Sequence, residues 1–430
     1  MMRIDDPREF RATLSCRRER DLNPVSAPVA TNNTEGRAAR AGNAPKRLQW
    51  LIIAVTWTIA ALAVSPVLLR WTAGRPSAFR THVAIDLSYV AAAILCYAFF
   101  RVESTRLERS RAIALVAMIF LLASVTNQIH SFNVDQASNY APPLANAALQ
   151  EYLQEEVVHL SPAVVPHSYR FLPNALVYWL QLAGVRFDAA RDIYRLLTGL
   201  LIFYALYRFA RLYTDLLGGI ITLLLTVAIY PISFEWYIGQ LTDPLSQLSF
   251  VLAFIFLETE NFACLLTTLL LGSLAKETVL ALCGFYVLSC RSTAHYRVKA
   301  VVLCTASLAM FLCVRLFVLH GGMHYEQISG PGPAHVFENW RDIKWQRLIL
   351  LTAGAYLPFL VLAWKRTPVS LKHLVFYLFP VLFLSSWFFS WLSEARNWMP
   401  IVFVLAVIAA RYWDTPSGSS SAANTSRSRV

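Results

Sequence analysis

The stretch IALVAMIFLLASVTNQIHSFNVDQASNY, residues 113–140, decides how this chain is read. Its first half carries no charge and belongs to a run that looks long enough to cross a bilayer, for which about 20 mostly apolar residues are needed. Its second half leaves that run and presents one aspartate, Asp135. No lysine or arginine then occurs before Arg170. Cytoplasmic loops of membrane proteins are rich in Lys and Arg, so a long segment without them reads as an outside loop.

The same pattern recurs along the chain. Of 430 residues, 57% are hydrophobic and 15% charged, against roughly 25% charged in a soluble domain. Candidate spans fall at 50–70, 82–100, 112–129, 190–212, 216–233, 243–258, 262–275, 276–290, 299–319, 347–364, 372–391 and 398–412. The expected fold is therefore all-α, a polytopic transmembrane helix bundle of about 10–13 spans. Its organisation is a disordered basic cytoplasmic tail (1–47), a transmembrane domain (48–413) with an outside loop at 130–189, and a disordered C-terminal tail (414–430). No short apolar core with a cleavage site follows the first tail, so a signal peptide is not expected.

The net charge of +12 invites a nucleic-acid reading, but position argues against it. The basic residues gather in the N-terminal tail, which holds ten, and in short loops such as RVESTRLERSR. Membrane topology accounts for that distribution, and it puts the N-terminus in the cytoplasm. None of the seven cysteines has CxxC spacing, so neither a disulfide framework nor a zinc site is indicated. The histidines show no HExxH spacing, and no Walker or GxGxxG loop is present.

Within the outside loop, ALQEYLQEEVVHL places Leu149, Tyr152, Leu153, Val157 and Leu160 on one helical face and Glu151, Glu155 and Glu156 on another, as in an amphipathic surface helix. The stretch 171–186, FLPNALVYWLQLAGVR, with Pro173 near its start and Tyr178-Trp179 in its middle, reads as a second helix lying on the membrane.

With this threading, four polar clusters share the outer side. They are Asp135 with Gln136, Asn139 and Tyr140; Glu235, Gln240 and Asp243; Lys276 with Glu277; and Glu394, Arg396 and Asn397. An ionisable residue at membrane depth costs about 2.5–3.5 kcal/mol, so such residues are usually paired or functional. Each cluster also has a plain structural reading. Lys276-Glu277 is then a self-neutralising turn, Asp243-Pro244 a helix N-cap, Glu394 and Arg396 a loop ion pair, and Asp135 a solvated loop residue.

NVDQASNY, RFLPNALVYWLQLAGVRFDAARDIYRLLTGLLIFYALYRFARLY, LLTTLLLGSLAKETVLAL and EARNWMPIVFVLAV together resemble the class C membrane glycosyltransferases, in the manner of protein O-mannosyltransferases and aminoarabinose transferases. Pro173, Tyr178, Trp179 and Arg191 or Arg195 match the family's juxtamembrane helix and following arginine, loosely, over residues 120–415. The family's acidic pair is here Asp135-Gln136, and Arg170 stands near the place of a lysine. The resemblance implies a polyprenyl-phosphate sugar donor, an acceptor on the outer face, the bilayer and its lipid-linked sugar as partners, and a bacterial inner membrane as location. No cofactor or metal is evident. Asp135 is then the base that takes the acceptor proton. Arg170, Lys276 and Arg396 are candidates for the donor phosphate, and Tyr140, Gln240, Asp243, Glu277 and Glu394 are further site candidates. The rival readings are a secondary transporter and a non-catalytic membrane component of an envelope or polysaccharide system.

Overall fold

The computed structural model describes residues 115–116, 118–127, 147–161, 167–230, 241–290, 295–319, 333–341, 356–390, 392 and 394–413. Asp135, Tyr140 and Gln240 lie outside these residues, as do the expected spans at 50–70 and 82–100 and both tails. Every regular element among the described residues is helical. Among the described residues, three helices are long and apolar enough to cross a membrane: Phe187–Ala210, Tyr296–Leu316 and Val369–Phe388. Shorter apolar helices accompany them, among them Phe262–Ser273, Glu277–Ser289 and Ala395–Ala410.

Composition sets where these helices begin and end. Asp215 opens the helix Leu216–Ile229, its Oδ1 accepting from the Gly218 amide at 2.8 Å. Asn261 does the same for Phe262–Ser273, accepting from Cys264 at 3.2 Å. Both satisfy amides that an isolated helix end leaves bare.

The helix Phe171–Leu182 has 12 residues, about 18 Å at 1.5 Å per residue, well short of the ~30 Å apolar core of a bilayer. It stops at Gly184, whose φ of +89° suits a residue without a Cβ. The amides of Ala183, Gly184 and Val185 close its last carbonyls. At its start the Leu172 amide donates to the Leu274 carbonyl at 3.1 Å, so it is pinned to the turn between two apolar helices.

The helix Ala147–Val158 forms, but its buried face differs from the expected one. Gln150, Gln154 and Val157 are buried, while Tyr152 and Leu160 are exposed. Gln154 donates to the Asn174 carbonyl at 3.3 Å, and Gln150 accepts from Arg191 at 3.5 Å. A polar partner beneath the helix wins over its leucine stripe.

The apolar core gathers Phe203, Phe209, Phe250, Phe254 and Phe403 from the helices Phe187–Ala210, Thr242–Glu258 and Ala395–Ala410. The helix Thr242–Glu258 packs closely on Phe262–Ser273. A Cβ at Gly272 would lie 2.8 Å from that of Ser249, so glycine permits the approach, as small residues do between membrane helices.

Candidate functional site

The chain between Phe262–Ser273 and Ala281–Ser289 does not run on as one helix. Lys276 takes extended backbone (φ −162°, ψ 127°), and a 3-10 turn, Glu277–Leu280, follows. In extended chain successive side chains point to opposite sides. Lys276 and Glu277 therefore part, and the self-neutralising turn does not form. Lys276 donates to Asp243 Oδ1 at 3.1 Å and to Asn397 Oδ1 at 2.8 Å. Glu277 instead meets Arg170, whose Nη2 and Nε lie 3.3 Å and 3.5 Å from its two oxygens.

Asp243 sits in the first turn of Thr242–Glu258, where proline is tolerated and a carboxylate is favoured by the helix dipole. It does not cap the helix; that place belongs to Leu241. Its second oxygen accepts from Arg396 Nη1 at 3.1 Å. Asp243 thus joins two cations that lie far apart in the chain.

Glu394 stands at the start of Ala395–Ala410. Its Oε2 accepts from Arg396 Nη2 (3.0 Å) and Nε (3.2 Å), Ser390 Oγ (2.7 Å) and Asn397 Nδ2 (2.9 Å). The loop ion pair expected at Glu394 and Arg396 does form, and it is one part of a larger network. Asn339, from the helix Pro333–Arg341, holds this turn in place. Its amide donates to the carbonyls of Trp387 (3.0 Å) and Ser390 (2.8 Å), and its Oδ1 accepts from the Leu392 amide at 2.9 Å.

The structure therefore brings Arg170, Asp243, Lys276, Glu277, Glu394 and Arg396 to one place, three positive and three negative. Lys276, Asp243, Arg396 and Glu394 are all buried. The Arg170–Glu277 pair is the more open, with side-chain exposures of 11% and 24%. A cavity of ≈ 70 Å³ lies among them. Arg170, Asp243, Lys276, Glu277, Arg396 and Asn397 line it together with Gln247, Ser246, Thr278, Ser385, Ser386 and Ser390. Among the described residues no three of His, Cys, Asp and Glu are grouped to hold a metal ion.

Beside Arg170, in the turn His167–Tyr169, the environment holds the His167 imidazole neutral. Burial and the charges of Arg170 and Arg396, opposed by Glu277 and Asp243, lower its pKa to about 3. Arg191 and Arg195 are buried in the next helix. Arg191 lies 3.6 Å from Asp188 and 3.5 Å from Asp192, outside the cavity lining.

The charged members of this site were visible in the sequence because a charge among apolar residues stands out. Gln247 and Ser390 were not, since an uncharged polar residue in an apolar helix carries no such mark. For Gln247 the available signal was its position four residues after Asp243, which puts both on one helical face. No family model, curated protein or solved structure matches this chain.

Proposed function

We propose that the chain is a multi-pass membrane glycosyltransferase, a bundle of about 10–13 spans with its N-terminus in the cytoplasm of a bacterial inner membrane. It moves a sugar from a polyprenyl-phosphate donor to an acceptor on the outer face. The observation that carries this reading is the convergence of three cations, three carboxylates and a set of hydroxyls around one cavity between apolar helices. Transfer of this kind forms a bond between the acceptor oxygen and the anomeric carbon and breaks the bond from that carbon to phosphate. The acceptor proton goes to a base, for which Asp135 is proposed, and the leaving lipid phosphate needs fixed positive charge.

The geometry ranks the three cations. Lys276 and Arg396 are tied to buried carboxylates at 3.0–3.1 Å. Arg170 holds Glu277 at 3.3–3.5 Å at a more open position. Exchanging that pairing for a phosphate costs least, so Arg170 is the proposed phosphate ligand. Its planar fork suits two phosphate oxygens.

The transporter reading has one specific observation in its favour. Lys276 lies in extended backbone between two short apolar helices, an arrangement found at transport sites. Membranes containing the protein, given radiolabelled undecaprenyl-phosphate sugar, separate the two. A transferase consumes the label and leaves undecaprenyl phosphate, and Asp135→Asn slows this by roughly 10²–10⁴-fold. Movement of intact donor across the membrane without consumption decides for transport.

A further inference from the structure

Gln247 lies on the face of the helix Thr242–Glu258 that carries Asp243, one turn further on. It is 3% exposed and borders the cavity. Its Oε1 accepts from the Tyr230 hydroxyl at 2.6 Å. Its Nε2 has no hydrogen-bond partner among the described residues. A buried donor left without an acceptor is unfavourable, and such groups in folded proteins call for an explanation. An acceptor brought by a ligand supplies one.

The charges nearby restrict what that ligand can be. Asp243 joins Lys276 to Arg396, and Glu394 holds Arg396 again. An anion entering at this depth would have to break buried ion pairs, which is expensive. A hydroxyl would not. It both donates and accepts, so it can take the Gln247 N–H and give its own proton to a carboxylate oxygen. Ser246, Ser386 and Ser390 also line the cavity and can offer further hydroxyl contacts.

We infer that the inner wall of the cavity binds the uncharged polyhydroxyl part of the substrate, with Gln247 Nε2, steadied by Tyr230, donating to one of its oxygens. The phosphate stays at the more open end with Arg170. This rests on the transferase reading and deepens it, because it divides the donor between two ends of one cavity.

The test is equilibrium binding to the full chain in lipid nanodiscs. The probes are undecaprenyl phosphate alone, undecaprenyl-phosphate hexose and undecaprenyl-phosphate pentose. Wild-type protein should bind at least one sugar-bearing lipid more tightly than the bare lipid. Gln247→Leu should erase that margin, a loss of roughly 2- to 12-fold for one neutral hydrogen bond, and leave bare undecaprenyl phosphate unchanged. Gln247→Met keeps most of the side-chain volume and removes the donor. It should lose the same margin, and it serves if Gln247→Leu does not fold. Arg170→Gln should weaken all three lipids alike. A margin that survives both Gln247 variants, or equal loss for bare and sugar-bearing lipids, overturns the inference and leaves the transferase reading standing. So does a wild-type protein that binds all three lipids equally. Failure of the wild type to bind any of the three removes the transferase reading, and this inference with it.

Discussion

Lys276 and Arg396 share one carboxylate, Asp243, and substitutions should report that sharing. Lys276→Gln strands one oxygen of a buried Asp243. Breaking a buried pair costs about 3–5 kcal/mol, less here because Arg396 still holds the other oxygen. The melting temperature in detergent should fall, and Lys276→Gln with Asp243→Asn should recover most of the loss. Pairing Lys276→Gln with Glu277→Gln should not, since Glu277 belongs to Arg170. Arg170→Gln should cost less stability than the about 3–5 kcal/mol of a fully buried pair, because Glu277 keeps 24% of its side chain exposed, while weakening donor binding by about 1.5–3 kcal/mol. Unchanged donor affinity in Arg170→Gln would remove it as the phosphate ligand. His167 gives a pH dependence of definite sign. Its folded-state pKa of about 3 lies below the ordinary 6.5, so the unfolded chain binds the proton first. Stability should therefore fall as pH drops from 6.5 toward 3, by at most about 1.4 kcal/mol per pH unit. His167→Gln should flatten the difference between melting curves at pH 7.5 and pH 5, and equal slopes in the two proteins would show that His167 contributes nothing. The sequence made these charges legible but not their partners. Lys276 and Glu277 are neighbours in the chain, and only the extended backbone at Lys276 sends them to different partners.

The helix pair Thr242–Glu258 and Phe262–Ser273 carries Asp243 at one end and leads directly into the Lys276 break. Its close approach at Gly272 and Ser249 therefore sets the distance between the two charges. Gly272→Leu would push against Ser249 and Val279, both under 3.0 Å from the added Cβ. Overpacking of this kind costs about 1–3 kcal/mol. Activity should suffer more than stability, because the Lys276–Asp243 separation follows the helix spacing. Ser249→Gly in the same chain should restore part of both, and a Gly272→Leu protein with wild-type melting and turnover would show that the approach is not tight. Apolar runs identified most of these helices, but boundaries were less legible where tertiary partners decide them. The run 276–290 reads as one span, yet the chain spends Glu277–Leu280 in a 3-10 turn before Ala281–Ser289 begins. The stretch 149–160 reads as burying leucines. It buries Gln150 and Gln154, because Arg191 and the Asn174 carbonyl lie beneath them.

At the scale of the molecule, the two ends of the bundle differ in charge. The helix Phe187–Ala210 starts near the cavity, where Tyr194 donates to the Leu241 carbonyl at 2.7 Å. At its far end lie Arg208 and Arg211, and Arg411 reaches the carbonyls of Tyr213 and Arg366 there. Lys365, Arg366 and Lys372 fall in or beside the same connection. Basic residues favour the cytoplasmic side, so the cavity end should face out. The helix Phe171–Leu182 is the hinge of that assignment, because a crossing there would invert every later loop. Its 12 residues and the bond from Leu172 to Leu274 argue that it stays on one side. Single cysteines at His159, Arg186 and Lys365, in a chain whose seven native cysteines are replaced by alanine, make the test direct. In intact cells an impermeant maleimide should label His159→Cys and Arg186→Cys, which flank the short helix. It should reach Lys365→Cys only after the membrane is opened. Labelling of His159→Cys and Arg186→Cys from opposite sides would mean that the short helix crosses. Labelling of Lys365→Cys in intact cells would put the basic end outside. Either result would leave the cavity facing the cytoplasm or without an outer mouth, and a lipid-linked sugar presented at the outer surface could not then reach Arg170.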